Sequence, residues 1–427
     1  MTNELHLDEF RILDVKKEED GSMLYTVEPE NEETVCTNCG SINTVSNGTI
    51  TRYVRDLPSF GHSIALMVKQ HRYLCHDCGK TCVHNLQSVE DKGRITVRLR
   101  EQVKKEVMDS TFSAVAIKYN LSVTSVKRIF AEYVSDKQRE WVKYSPVILG
   151  IDEAHLCNHM CGVFVDVKNR GLIEMLPKRD KGSVIEYLSS LPDRRRIEVV
   201  TMDMWRPYRD AVRETLPQVR VVVDKFHVIK EVINALESFR KDFQKDLAKQ
   251  RRISLKNSRW LLLHNAEDLD TAQKQRLEHL FDVYPELRLP YQLKEAFRDI
   301  YQSGNRYIAE EKFENWCELV PEELKPFIVV KETIFNWYSE IFNYFDFRYT
   351  NAVTESINNL IKSIEKEGRG YTFEVIRAKI LYTTKATKKP VYKAKPRKED
   401  DKELVHGTMC DCLELAEEIK TWKNTQS

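Results

Sequence analysis

A chain of 427 residues that is 41% hydrophobic and 31% charged can hold two or three domains, and its composition excludes disordered and fibrous classes. Its acidic opening, MTNELHLDEF, has neither the basic nor the apolar part of a secretory signal. No apolar run approaches the roughly 20 residues of a membrane span, so an intracellular protein with no membrane partner is expected. The net charge of +1 hides segregation: residues 1–35 carry 11 acidic and 3 basic side chains, and residues 385–398 carry 7 basic and no acidic ones. Local charge, not the total, must therefore identify partners.

Residues 8–80 alternate short β-like segments (FRILDV, MLYTVEP, IALMVKQHRYL) with turn signals. Within them lie two CxxC pairs, Cys36/Cys39 and Cys75/Cys78, 35 residues apart and each followed by a glycine. Ten cysteines in a chain without a secretory signal argue against a disulfide framework. Four thiolates in two knuckles suit tetrahedral Zn2+, and a β-hairpin has to fill the interval between them. Cys82 or His84 lies close enough to substitute for one ligand.

From Thr96 the hydrophobic period becomes helical. FSAVAIKYNLSVTSVKRIFAEYV has the build of a helix-turn-helix with its turn at Asn120 to Ser122. The start of its second helix would place Ser122, Thr124, Ser125, Lys127 and Arg128 against DNA. Generic three-helix packing explains the same pattern.

After Pro146 the order reads β-β-β-α-β-α-β, a mixed sheet. Asp152 follows the apolar VILGI and Asp203 follows IEVVTM, so both lie at or near strand ends. If the first and fourth strands are neighbours, the two carboxylates converge, which calls for a cation. Oxygen ligands with open positions favour Mg2+ or Mn2+. Glu153 alternates to the opposite face. Trp205 and Tyr208 read as core aromatics or as a base-stacking pair. His155, Cys157, His159 and Cys161 could be drawn as a metal cluster, but no second motif supports one. Cys410 and Cys412 suggest nothing definite.

The fifth strand, VRVVVD, ends in Asp224, with His227 three residues on. Residues 230–345 then read as long, aromatic-rich helices with no strand signal. The late segment TNAVTESINNLIKSIEKEGRG forms an amphipathic helix whose polar face carries Glu355, Asn358, Asn359, Lys362 and Lys366. Glu355 could reach metals beside the sheet while the asparagines and lysines meet phosphates. A solvated face looks much the same.

Together the CxxC pairs, the helix-turn-helix, "GIDEAH", "TMDMWRPYRDAV", "VVVDKFHVIK" and "NAVTESINNLIKSIEKEGRGYTFEVIRAKIL" resemble the bacterial insertion-sequence transposases of the ISL-three type, over nearly the whole chain. That resemblance implies an RNase-H-like DDE catalytic domain with Asp152, Asp203 and Glu355 as its carboxylates. Asp224 and His227 then support the site, as in transposase groups with a helical insertion after the fifth strand. A rival assignment makes Asp224 the second catalytic aspartate and Asp203 the supporter. A third reading makes His227 a helix cap with Asp224 as its partner.

The expectation is thus a multidomain α/β protein, an RNase-H-like mixed sheet with a helical insertion. A zinc-binding module (1–88) and a helix-turn-helix (89–145) come first. The core (146–229), the insertion (230–345), the final core helices (346–384) and a basic linker and tail (385–427) follow. Implied partners are the terminal inverted repeats and target DNA, with a homodimer on paired ends in a bacterial cytoplasm, nucleoid-associated. The insertion would hold the other strand or the partner subunit. The competing expectations are a catalytically silent DNA-binding regulator and a nuclease of the same sheet class without strand transfer.

Overall fold

The computed structural model describes residues 5–30, 35–83, 85–90 and 93–383; His84, the basic stretch 385–398, Cys410 and Cys412 lie outside them. The chain divides into two compact units, residues 1–142 with 367–369 and 378–383, and residues 143–366 with 370–377.

The first unit contains β1 (Phe10–Lys17), β2 (Met23–Pro29), β3 (Thr44–Ser59), β4 (His62–Cys75) and β5 (Thr81–Val83) in one sheet. Its order is β1-β2-β4-β3, with β5 paired to β4. Inward-facing Val27, Val54, Leu66 and Val68 are fully buried and make its core. β3 and β4 form the hairpin that the cysteine spacing demands. β3 itself is masked in the sequence by Asn47-Gly48, a turn-like pair. Here it makes a bulge: the register shifts between Ser46 and Thr49, and Gly48 takes a φ of +83°.

Three helices follow, α1 (Val97–Glu106), α2 (Phe112–Lys118) and α3 (Val123–Glu140). Each starts because Thr96, Thr111 or Ser122 accepts the backbone N–H three residues on. Thr96 also donates its hydroxyl to buried Asp56 of β3 at 2.6 Å, tying the first helix to the sheet. Leu99, Val103, Val115, Val126 and Ile129 are fully buried between the helices, and Phe112 meets Phe130 edge-on at 5.1 Å. The α2–α3 turn passes through Asn120 in the left-handed region, at φ 51°.

The second unit holds β6 (Ile148–Leu156), β7 (His159–Asp166), β8 (Gly171–Leu176), α4 (Lys181–Ser189), β9 (Val199–Met202), α5 (Arg206–Thr215) and β10 (Arg220–Val223). The sheet order is β10-β9-β6-β7-β8. β6, β9 and β10 are parallel neighbours, and β7 runs against both β6 and β8, so that β8 points the same way as β6. Alternation assigns the two faces. Leu149, Ile151, Val200 and Met202 pack under α4 and α5, while Ile148, Val199 and Val222 join a core of helices.

Those helices are α6 (Lys225–Phe243), α7 (Lys249–Asn257), α8 (Arg259–Leu263), α9 (Thr271–Val283), α10 (Arg288–Ile300), α11 (Arg306–Leu319), α12 (Lys325–Asn336) and α13 (Tyr338–Phe347). Phe297, Phe313, Trp316, Phe327 and Phe342 fill the space between them. The helical run starts at Lys225, immediately after Asp224, five residues before the expected edge at 230.

α14 (Ala352–Gly368) and α15 (Phe373–Leu381) complete the described chain. α14 buries Thr354, Ile357, Asn358 and Ile361. It approaches β6 closely because Gly150 has no side chain: a Cβ there would stand 2.8 Å from Thr354 Oγ1 and 3.0 Å from Val165 Cγ2. Overpacking of that kind costs about 1–3 kcal/mol. The whole is the multidomain α/β, RNase-H-like architecture expected from the sequence. No helix among the described residues is long and apolar enough to cross a membrane.

Candidate catalytic centre and zinc site

Cys36 and Cys39 lie in the loop before β3; Cys75 ends β4, and Cys78 follows it. The hairpin brings the two knuckles together, so all four sulfurs lie within 4.8 Å of one another. Cys36 and Cys78 are 3.7 Å apart and Cys39 and Cys75 3.6 Å. A tetrahedron with Zn–S bonds of 2.3 Å has edges of about 3.8 Å, so the four thiols fit Zn2+. Gly40 and Gly79, at φ +74° and +69°, fold their N–H groups back onto the carbonyls of Cys36 and Cys75, each at 2.9 Å. Backbone N–H groups of Asn38 and Cys39 draw the Cys36 thiol down to about 6, toward the thiolate that a ligand must be. Cys82 packs against this cluster without joining the four.

In the other unit, the parallel strands set three carboxylates in a row. Ile151 of β6 pairs with Met202 of β9, which pairs with Val223 of β10, and the next residue in each chain is Asp152, Asp203 or Asp224. The same alternation turns all three to the α14 side of the sheet. Asp152 is buried, and burial together with the Asp203 charge pushes its carboxyl up to about 7.

The imidazole of His227, one turn into α6, lies between the other two acids. Its Nε2 is 2.9 Å from Asp203 Oδ2, and its Nδ1 is 3.1 Å from Asp224 Oδ2. Hydrogen bonds to Asp203 and then Asp224 raise its pKa to about 10, so it is an imidazolium that donates to both. Asp224 precedes α6 but makes no side-chain cap to it. Its carboxylate goes instead to His227 and to the backbone N–H of Asn351, at 3.3 Å. His227, the third residue of α6, does not cap the helix; it keeps Asp224 as a partner but bridges it to Asp203.

The start of α14 supplies what sequence reasoning missed. Asn351 donates its side-chain amide to Asp203 Oδ1 at 3.2 Å. Asn358 donates to Asp152 Oδ2 at 2.8 Å and to the Glu153 carbonyl at 3.2 Å. Asn358 was expected to meet phosphate. It is buried, because it sits on the packed side of this helix with Thr354, Ile357 and Ile361, while Glu355 and Asn359 beside it are exposed. The Oδ1 atoms of both asparagines are buried with no hydrogen-bond partner.

Glu355 lies four residues after Asn351 and three before Asn358, on the same helical face. Its carboxylate is exposed and has no side-chain hydrogen bond or ion pair among the described residues. The groups close enough to share one ion are Asp203, Asp224 and His227; Asp152 and Glu355 stand outside that set. Asn359, Lys362 and Lys366 are exposed.

Glu153 faces the other way, as alternation requires, and pairs with Arg179 at 2.6 Å. Arg179 also stacks on Trp205, 4.4 Å from its ring centre. Trp205 is 38% exposed and is no core residue, whereas Tyr208 is fully buried under the sheet. His155 and His159 are exposed and Cys161 is buried; the described residues gather no metal cluster from them and Cys157. In the helix-turn-helix, Ser122 caps α3, Ser125 shares a 2.8 Å hydrogen bond with it, and Thr124, Lys127 and Arg128 are exposed.

Comparison with known proteins adds the following. A family model described as a transposase, the DDE domain of the ISL3 type, matches residues 149–380, more than half of the chain. Residues 32–78 match the zinc-finger of transposase IS204/IS1001/IS1096/IS1165, and residues 85–134 match the helix-turn-helix domain of transposase family ISL3. The chain is 26% identical over 354 residues to the transposase for insertion sequence element IS1001 of Bordetella parapertussis, covering 81% of this chain and 87% of that protein. The four-cysteine cluster of the first unit is a zinc site.

Proposed function

The chain belongs to the ISL3 transposase family, and from that premise we propose that it cuts and rejoins DNA at a centre built from Asp152, Asp203 and Glu355. The observation that carries this reading is the in-register row of Asp152, Asp203 and Asp224, with Asn351 and Asn358 bound to it on either side of Glu355.

The donor set fits Mg2+ or Mn2+. The donors are carboxylate oxygens, Asp152 is held protonated up to about pH 7 by burial and a like charge, and the side-chain oxygens of Asn351 and Asn358, whose amide nitrogens hold Asp203 and Asp152, are buried without a partner. Bound there, two such cations would activate the attacking hydroxyl and stabilise the leaving oxygen of an in-line displacement. Asp152, Asp203 and Glu355 would hold them.

His227 neutralises the Asp203–Asp224 pair and fixes the orientation of both carboxylates. Asp203 takes the catalytic position and Asp224 the supporting one: His227 and Asn351 hold both carboxylates, but the side chain of Asp203 is 15% exposed against 4% for Asp224. Asn351 and Asn358 set the register of α14 against the sheet, so that Glu355 is delivered beside the acids.

The helix-turn-helix binds DNA, reading the terminal inverted repeats through Ser122, Thr124, Ser125, Lys127 and Arg128. Zinc holds the ribbon fold. Asn359, Lys362 and Lys366 meet phosphates beyond Glu355, and a homodimer brings the two ends together.

The test uses a labelled duplex carrying the inverted repeat, incubated with Mg2+ and wild-type protein or Asp152→Asn, Asp203→Asn or Glu355→Gln. Cleavage at the repeat boundary and joined products are expected from the wild type. Each amide should lose at least about a thousandfold in cleavage while still binding the duplex. Full cleavage by any one of them removes that residue from the set. Binding without cleavage by the wild type selects the silent regulator, and cleavage without joined products selects the nuclease.

A further inference from the structure

The helical insertion carries a concentration of charge for which the carboxylate centre has no use. Residues 248–260, AKQRRISLKNSRW, contain five basic side chains and no acidic one. On either side, Lys241 and Arg259 are taken up by Glu237, and Lys245 by Asp242. Lys249, Arg251, Arg252 and Lys256 of α7 are all exposed, and none has an ion-pair partner among the described residues. Like charges three and four apart on one helix weaken it. Only Leu255 of α7 is buried, so neither packing nor internal pairing accounts for this composition.

Beside α7 runs a groove of about 640 Å³ between α7–α8 and α9. Its lining includes Asn257, Trp260, Gln275, Arg276 and His279 and no carboxylate. Lys274 and Arg276 of α9 are exposed as well, and neither is in an ion pair among the described residues. Glu278, the acid nearest them in sequence, is held by Arg288 at 2.9 Å. Six uncompensated cations on two adjoining helices, with an indole 37% exposed in the groove between them, match a phosphate backbone in sign.

We propose that α7 and its groove against α9 form a second DNA-binding surface, which grips backbone phosphates of the substrate duplex without reading its sequence. This inference rests on the transposase reading and adds a grip separate from the helix-turn-helix. α6 is 19 residues long and leads about 28 Å away from Asp224 before α7 begins.

The test compares the zinc-loaded full chain with a combined Lys249→Gln, Arg251→Gln, Arg252→Gln and Lys256→Gln variant. Binding is read by fluorescence anisotropy over a salt series without added Mg2+. One duplex carries the inverted repeat, and a second has the same length and unrelated sequence. The variant should lower the slope of log K against log salt by about 3 to 4 on both duplexes. Phosphate-ethylation interference should show contacts in the wild type that vanish in the combined variant. Thr124→Ala with Lys127→Gln should instead remove the preference for the repeat and leave the α7 contribution in place. If zinc content or melting shows the combined variant misfolded, Arg251→Gln with Arg252→Gln should give about half the change in slope. Unchanged slopes in a folded variant overturn the inference and leave the transposase reading standing. A wild type that binds neither duplex overturns both.

Discussion

In the ribbon, four sulfurs already stand close enough together to be the corners of a tetrahedron. At the edge of the mixed sheet, three carboxylates stand beside an imidazolium and two asparagine amides, and the fourth acid is turned to solvent. The first set is assembled by two knuckles and one hairpin, all within residues 36–78. The second draws on strands, α6 and α14, across as many as 206 positions of sequence. A structural metal site is closed by its own ligands. A catalytic one is kept in shape by neighbours that stand in for charge and leave positions open.

The sharpest way to break this comparison is at the closed site. Cys75→Ser removes one thiolate of four, and structural zinc is worth about 10 kcal/mol or more to a fold that depends on it. Loss of bound zinc and unfolding of the ribbon are expected, read by metal analysis and by backbone NMR. Signals of residues 143–366 should persist, because they form a separate compact unit. A Cys75→Ser chain that retains one zinc and a folded ribbon would contradict the four-thiolate assignment.

At the open site a supporting side chain should cost less. Asn358→Ala removes the donor to Asp152 and loosens the placement of Glu355, with an expected loss of about 10- to 100-fold in Mn2+ affinity. Titration followed by electron paramagnetic resonance measures it. An unchanged affinity would reduce Asn358 to packing.

The two sites also differ in how far the sequence discloses them. CxxC followed by glycine, given twice, is a local signal, and all four ligands were legible. Asp203 and Asp224 were legible as acids ending apolar runs, whereas Asp152, expected at or near a strand end, lies in the middle of β6, which stays paired to β7 as far as Leu156. It meets the other two acids only because β9 and β10 stop beside it. Glu355 was a candidate from the polar face of its helix, which a solvated face would match as well, and the family resemblance strengthened it, because a carboxylate there has no local mark of its own. Asn351 was missed, and Asn358 was assigned to phosphate and not to Asp152, for a physical reason. Their partners are chosen by the docking of α14 on Gly150, which no periodicity encodes. β3 was hidden by Asn47-Gly48, whose turn chemistry is spent on a bulge.

The central claim is that Asp152, Asp203 and Glu355 hold divalent ions while Asp224 supports them. Its most direct test is Mn2+ titration of the zinc-loaded chain on a duplex end, from pH 5.5 to 8.5, in the wild type and in Asp152→Asn, Asp203→Asn, Glu355→Gln and Asp224→Asn. The Asp152 carboxyl is raised to about 7, so without Mn2+ its proton favours the fold at low pH, and that contribution is lost as the pH rises through about 7. Mn2+ must displace the same proton. The account therefore predicts affinity that climbs up to about pH 7 and then levels off, while His227 stays protonated throughout. It also predicts loss of binding in the first three variants and only weakening in Asp224→Asn. Full binding in Asp203→Asn, with loss in Asp224→Asn, would contradict it and hand the catalytic position to Asp224.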